Sequence, residues 1–304
     1  MTPSRAQIIL AFAAMYLVGG SVFLGQRVAM HGGLTAFLTS GVRMAFAGAI
    51  LLAWSRVRGG GLAPRQTWLD LAISGSLLFV GGSALSMIAS DRIASGLVAL
   101  LTATVPFWIT IGAALRPGGE RPASLGALGL VLGFAGLAIV IVLTVHGDAS
   151  ASGIAISLIS AVAWAAGSLW ARHRLRALPA MTIASHQMLF GALPLIAIGL
   201  GRGELAQLAP TGDGLLALAY LIVFGNLITY QAFVFLMNHV SPTKVSTYAY
   251  INPILAIALG SWLAGEHLPA NGLVGAVAIL AGVALANLST GSGRSTHHKH
   301  ASVD

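Results

Sequence analysis

The sequence predicts an all-α integral membrane protein of ten transmembrane helices arranged as two inverted five-helix repeats. Three observations carry this expectation. Of 304 residues, 57% are hydrophobic and 8% charged, with a mean hydropathy of +0.87, whereas ordinary soluble domains carry roughly 25% charged residues. The apolar residues fall into runs of about 20, the length that crosses a bilayer core, and leave no room for a sizeable soluble domain. The chain also repeats its own motifs 147 residues apart, the signature of an internal duplication.

The composition excludes several classes. Zero cysteines rule out disulfides, thiolate metal sites and cysteine nucleophiles. The 38 glycines and 11 prolines show no triplet period, so collagen and Pro-rich disorder are excluded, while glycine-rich close helix packing in lipid fits. A net charge of +8 would suggest nucleic acid only if the basic residues shared one soluble surface. They sit instead in short loops between apolar runs, and no nucleic-acid partner, cofactor or metal is expected.

The runs place spans near 6–26, 34–54, 68–90, 94–115, 124–145, 151–171, 181–201, 213–237, 243–264 and 270–289. Ala11-Phe12-Ala13 resembles a signal-cleavage box, but only Ile8 to Leu10 form an apolar stretch before it, so the first span is read as a retained helix. The second span stops at Arg58-Gly59-Gly60-Gly61 with Pro64 beyond, the fourth at Arg116-Pro117-Gly118-Gly119, and Pro210 with Gly212 precedes the eighth. The fifth carries Gly126, Gly129, Gly133 and Gly136. That stripe suits either a dimer seam or a helix contact within the chain, and a functional monomer is expected. Residues 291–304, with His297, His298 and His300, read as a polar, disordered tail.

Orientation follows the positive-inside rule. Arg5, Arg56, Arg58, Arg65, Arg116, Arg121, Arg172, Arg174, Arg176, Lys244, Arg294 and Lys299 share one set of alternate loops, and only Arg27, Arg92 and Arg202 the other. Both termini are therefore expected on the cytoplasmic side of the membrane.

The duplication is read from aligned segments. Ala94 to Pro106 aligns with Ser241 to Pro253, Gly20-Ser21 with Gly167-Ser168, and Arg27 with Arg174, all 147 apart. With one gap, Glu120, Gly129 and Gly136 match Glu266, Gly275 and Gly282 at 146. Each half, 1–147 and 148–290, then holds five spans. An odd number forces the second half into the membrane with opposite polarity, the inverted-repeat plan of alternating-access carriers.

The duplicated pattern resembles the drug/metabolite transporter superfamily, in its ten-helix EamA-type branch. Gly20-Ser21-Val22-Phe23 is similar to that family's Trp-Gly-Ser-x-Phe signature, with Gly19 where Trp is usual. Ala163 to Ser168 looks like its second copy, and Tyr250-Ile-Asn-Pro253 through Gly265-Glu266-His267 resembles the block before the last helix. The resemblance implies a bacterial inner-membrane exporter of amino acids, aromatic and small neutral, or of related small metabolites, with a solute held between the halves. Proton-coupled drug or metabolite efflux is the alternative.

Polar residues within spans nominate the site. Asn226, Tyr230 and Phe233 follow helical spacings of four and three, and Tyr248 and Asn252 stand four apart. Such faces bring donors, acceptors and aromatic walls together, as a site for a zwitterionic, partly apolar solute requires. The candidate lining set is Tyr16, Ser21, Ser83, Trp108, Trp164, Ser168, Asn226, Tyr230, Gln231, Tyr248 and Asn252, with Pro106 and Pro253 as symmetric gate prolines that kink their spans. His186 is the intramembrane histidine available as a proton site, against a packing role. Arg43 is read first as an anchor that snorkels or binds backbone carbonyls, and second as a binder of substrate carboxylate. No Asp or Glu lies mid-span, which favours uncoupled diffusion or exchange. An integral membrane enzyme would need a clustered nucleophile and base or metal ligands, and a channel would need charge rings or filter repeats; the spans offer neither.

Overall fold

The structure, a computed structural model, describes residues 4–115, 124–145, 150–240, 245, 248–265, 274–282 and 284–285. The polar tail 291–304 and the loop carboxylates Glu120, Asp148 and Glu266 lie outside the described residues. Among the described residues there is no strand, and seven helices are long and apolar enough to cross a membrane, with shorter apolar helices beside them. In chain order these are α1 (Arg5–His31), α2 (Ala36–Val57), α3 (Trp68–Ser76, Leu77–Ala84 and Leu85–Arg92), α4 (Ser95–Thr102 and Val105–Ala114), α5 (Ser124–Val145), α6 (Ala151–Arg174), α7 (Ala180–Gly201), α8 (Gly212–Tyr220, Leu221–Tyr230 and Gln231–His239), α9 (Tyr248–Ala264) and α10 (274–282).

Helices are what lipid permits, because each backbone N–H and C=O must find its partner within the chain. The ends are closed by nearby polar groups. Ser4 and Gln7 form a reciprocal capping box at α1, and Ser150 and Thr211 cap α6 and α8 through the amides of Gly153 and Gly214. The N-terminus of α2 is closed from a distance. Thr35 makes no cap there; instead the carboxylate of Glu204 accepts from the amides of Phe37 and Leu38 at 3.3 and 2.8 Å. This buried anion suits the positive end of the helix dipole and ties the α7–α8 connection to the first half.

Large apolar side chains such as Leu10, Leu17, Val131, Leu193, Leu216 and Val277 face outward. In water such a surface would be a liability; against acyl chains it is the expected exterior. Inside, two main packed clusters form. One joins Val98, Leu101, Phe107, Leu137 and Val140 of α4 and α5 to Ala249 and Ile279 of α9 and α10. The other joins Phe37, Met44, Leu51 and Phe79 of α2 and α3 to Met188, Leu195 and Tyr230 of α7 and α8. Each cluster therefore draws on both halves of the chain.

Glycines set the closest approaches. A Cβ on Gly136 would stand 2.7 Å from the Ile279 amide and 2.8 Å from the Gly275 carbonyl oxygen, and one on Gly282 would stand 2.6 Å from the Gly129 carbonyl oxygen. Position numbers fall along α5 as they rise along α10, so the two helices run antiparallel. The glycine stripe of the fifth span thus packs within the chain. Helices α2 and α7 also meet antiparallel, Leu38 on Gly199, Gly41 on Leu195 and Ile196, Gly48 on Met188 and Ser185. Such small-residue contacts replace the hydrophobic effect, which gives no drive between helices in lipid.

Two features depart from regular α-helix. Residues Leu77–Ala84 and Leu221–Tyr230 are π-helical, with wider turns. The kink expected at Pro106 is instead a break: α4 stops at Thr102, turns through Ala103 and Thr104, and restarts with Pro106 in the first turn of the second piece, where a missing N–H costs nothing. Pro253 does lie inside its helix.

Replacing Gly136 by Ala is expected to destabilise the protein by about 1–3 kcal/mol, because backbone on α10 must move. Gly61→Ala, with nothing within 4 Å, is expected to stay within about 0.5 kcal/mol. Thermal unfolding of both variants in one detergent checks the difference.

Candidate functional site

Between the two clusters lies a cavity of about 180 Å³, lined from α1, α2, α3, α4, α6, α8 and α9. Its aromatic wall is continuous. Trp164 meets Phe79 and Tyr230 edge-on at 6.5 and 6.4 Å between centroids, Phe79 meets Tyr230 at 5.5 Å, and Phe233 bridges Tyr230 to Tyr248 at 6.2 and 6.0 Å. Trp164 reaches this position because Gly82 leaves room: a Cβ there would stand 2.7 Å from its ring.

Polar groups interrupt the wall at defined points. The π-helical stretch of α8 presents Asn226 and Tyr230 to the cavity, and that of α3 presents Phe79 and Ser83. Tyr230 donates to Gln187 Oε1 at 2.8 Å, and Gln187 in turn donates to Ser74 Oγ at 2.9 Å. Across the cavity Arg43 donates from Nη2 to Ser83 Oγ. Gln26 accepts from Ser86 at 3.1 Å. Asn252 is held against Gly19 and Gly20 of α1, and its Oδ1 is buried without a partner.

These pairs repeat. Ser83 and Tyr230 stand 147 apart, and in the second helices Ala36 to Phe46 matches Ala180 to Phe190 at 144, which sets Arg43 against Gln187 and Met44 against Met188. Arg43–Ser83 and Gln187–Tyr230 are then the same contact in the two halves. The two π-helical stretches also overlap at the 147 offset.

Of the residues nominated from sequence, Ser83, Trp164, Asn226, Tyr230, Tyr248, Asn252 and Pro253 line the cavity. The others stand outside it. Tyr16 packs on Phe12; Ser21 bonds Val18 O and the hydroxyl of Tyr220; Trp108 donates to Thr104 Oγ1 and stacks edge-on with Phe134; Ser168 donates to Trp164 O. Gln231 and Pro106 lie off the cavity lining as well. His186 lies off that lining: Nδ1 lies 2.8 Å from Thr182 O and Nε2 accepts from the Ala63 amide at 3.2 Å. A neutral ring with its hydrogen on Nδ1 satisfies both. Among the described residues nothing groups three metal-ligating side chains.

Sequence reasoning missed Gln26, Ser86, Thr102 and Ser160, single polar side chains that carry no spacing signal. Arg43, read first as an anchor and second as a carboxylate binder, also stands on the lining. It does not snorkel but lies on the cavity wall, 2% exposed.

A helical bundle with a lipid-suited exterior and, between its helices, a cavity of aromatic and apolar walls set with a few polar groups is the architecture of a multi-pass membrane transport protein. The model of the EamA-like transporter family matches the chain twice, over residues 5–142 and 151–288, and the protein belongs to that family. It is similar to the uncharacterized inner membrane transporter YedA of Escherichia coli, at 32% identity over 85% of this chain and 83% of the relative. Likeness to the uncharacterized transporter YvbV of Bacillus subtilis is 25% identity over 82% of each chain. A solved crystal structure at 21% identity shares the fold with a TM-score of 0.67 over 94% of this chain and 99% of the other.

Tyr230→Phe is expected to cost about 1–3 kcal/mol, because it strands the buried Gln187 Oε1. Denaturation of wild type, Tyr230→Phe and the double variant with Gln187→Leu checks this, the second change restoring part of the loss.

Proposed function

We propose that the protein exports amino acids, aromatic and small neutral, or related small metabolites by alternating access between two inverted five-helix repeats, 1–147 and 148–290. Ten spans would place both termini in the cytoplasm. The cavity carries the reading: aromatic walls for an apolar body, with amide and hydroxyl groups set among them. Its volume, about 180 Å³, falls below the 300–1,000 Å³ typical of drug-sized ligands and favours a small metabolite.

Several observations support the inverted repeat. The family model matches each half once. Equivalent helices α2 and α7, and α5 and α10, pack antiparallel, as a two-fold axis in the membrane plane requires. Contacts Gly136 to Gly275 and Gly129 to Gly282 exchange with each other under the 146 offset. The basic-poor loops also cluster: Arg27 donates to Ile93 O at 2.8 Å and Arg92 to Ser152 at 2.9 Å, whereas Arg174 pairs with Asp70 elsewhere.

Uncoupled diffusion or exchange is supported by where the described carboxylates stand. Asp70 bonds Trp170 and Arg174, Asp91 sits 3.9 Å from His31, Glu204 caps α2, and Asp213 is exposed in the first turn of α8. None of these lines the cavity, and a proton- or sodium-coupled carrier commonly uses one that does. Within this reading Pro253, on the cavity wall, and Pro106, at the break in α4, are places where α9 and α4 bend as the cavity changes sides.

Proteoliposome uptake of labelled amino acids is expected to be saturable, accelerated by unlabelled solute preloaded inside, and indifferent to an imposed pH gradient. Acceleration by the gradient would overturn the uncoupled mode. Uptake of no amino acid would overturn the substrate class.

A further inference from the structure

We propose that Arg43 is the anion-recognition group of this cavity and that the carried solute bears a carboxylate beside an apolar body. The inference rests on the transport reading and names the chemistry its site demands.

Arg43 lies seven residues into the 22-residue α2 and is almost wholly buried. A guanidinium offers five N–H donors and accepts nothing. Here Nη2 bonds Ser83 Oγ, while Nε and Nη1 are buried with no hydrogen-bond partner. No described carboxylate pairs with it: Asp70 bonds Trp170 and Arg174, Asp91 lies beside His31, Glu204 caps α2, and Asp213 is exposed at the start of α8. A buried cation left this way is costly, and within a membrane such groups face a partner or a water-filled cavity. Arg43 lines the cavity, so an anion entering it supplies the missing partner.

The chain contains its own control. Gln187 occupies the equivalent position in the second half, carries no charge, and has both amide atoms bonded, to Tyr230 and Ser74. At that position neither amide atom is left over for a ligand. The cavity is therefore polarised, with an unmatched positive charge on α2. Asn252 Oδ1, an unpartnered acceptor on a residue that also lines the cavity, suits the ammonium of an amino acid whose carboxylate meets Arg43. Arginine matches carboxylate better than any neutral donor, because both hydrogen bonds are charge-assisted.

The test uses L-phenylalanine, 3-phenylpropionate, L-phenylalaninamide and phenethylamine, which keep the ring and vary the charged groups. Their competition against labelled L-phenylalanine uptake and their shift of the melting temperature of the purified full chain are both measured. The carboxylate-bearing pair is expected to compete at least tenfold better than the amide and amine in wild type. Arg43→Lys is expected to keep that ranking with weaker binding, and Arg43→Gln to erase it. If the wild type takes up no phenylalanine, a melting shift by 3-phenylpropionate that Arg43→Gln loses sustains the site while the amino-acid reading fails. Equal competition by amide and amine in wild type, a ranking unchanged in Arg43→Gln, or no melting shift by either carboxylate would overturn the proposal.

Discussion

The close approach of antiparallel helices at glycine is the constraint on which the rest of the structure depends. In lipid an apolar side chain gains nothing by leaving solvent for a neighbouring helix, so association rests on contact density. Gly136, Gly275 and Gly282 bring α5 and α10 backbone to backbone, and Gly41, Gly48 and Gly199 do so for α2 and α7. With those pairs fixed, two packed clusters form, and the space left between them is the cavity. Its position is a by-product of where side chains are smallest.

Much of this was legible in the sequence. The apolar runs located the helices to within a few residues, α5 at 124–145 and α7 at 180–201 among them, because a bilayer imposes both length and polarity. Rotation was far less legible. A helix apolar all round carries no amphipathic stripe to orient it, so Ser21 and Ser168, nominated by motif, turn out to bond beside the cavity rather than in it. The π-helical turns compound the difficulty, since each shifts the phase of the helix beyond it: Tyr230 faces the cavity and the adjacent Gln231 does not. Gly81, Gly82 and Gly225 were the available hint.

Arg43 was visible in the sequence, where anchoring was read ahead of carboxylate binding for a physical reason. A lone arginine in a span has a cheap solution, reaching for the headgroups, and only the tertiary structure shows that this one has not taken it. The comparison with Gln187 makes the point sharper. Duplication supplies two versions of a position, and the contrast between a neutral, bonded Gln187 and a charged, unmatched Arg43 is what carries the proposal for Arg43.

The interleaving of the clusters bears on how the protein is made. Helix α2 emerges from the ribosome long before α7, its main neighbour, and before Glu204, which closes its N-terminus. Until then its glycine face and Arg43 meet lipid or the insertion machinery, at a cost of about 2.5–3.5 kcal/mol for the charge at mid-span. The first five helices are thus a nascent assembly held in waiting. Translation of the second half both completes the fold and shelters the charge, which makes the order of synthesis part of what the membrane must tolerate.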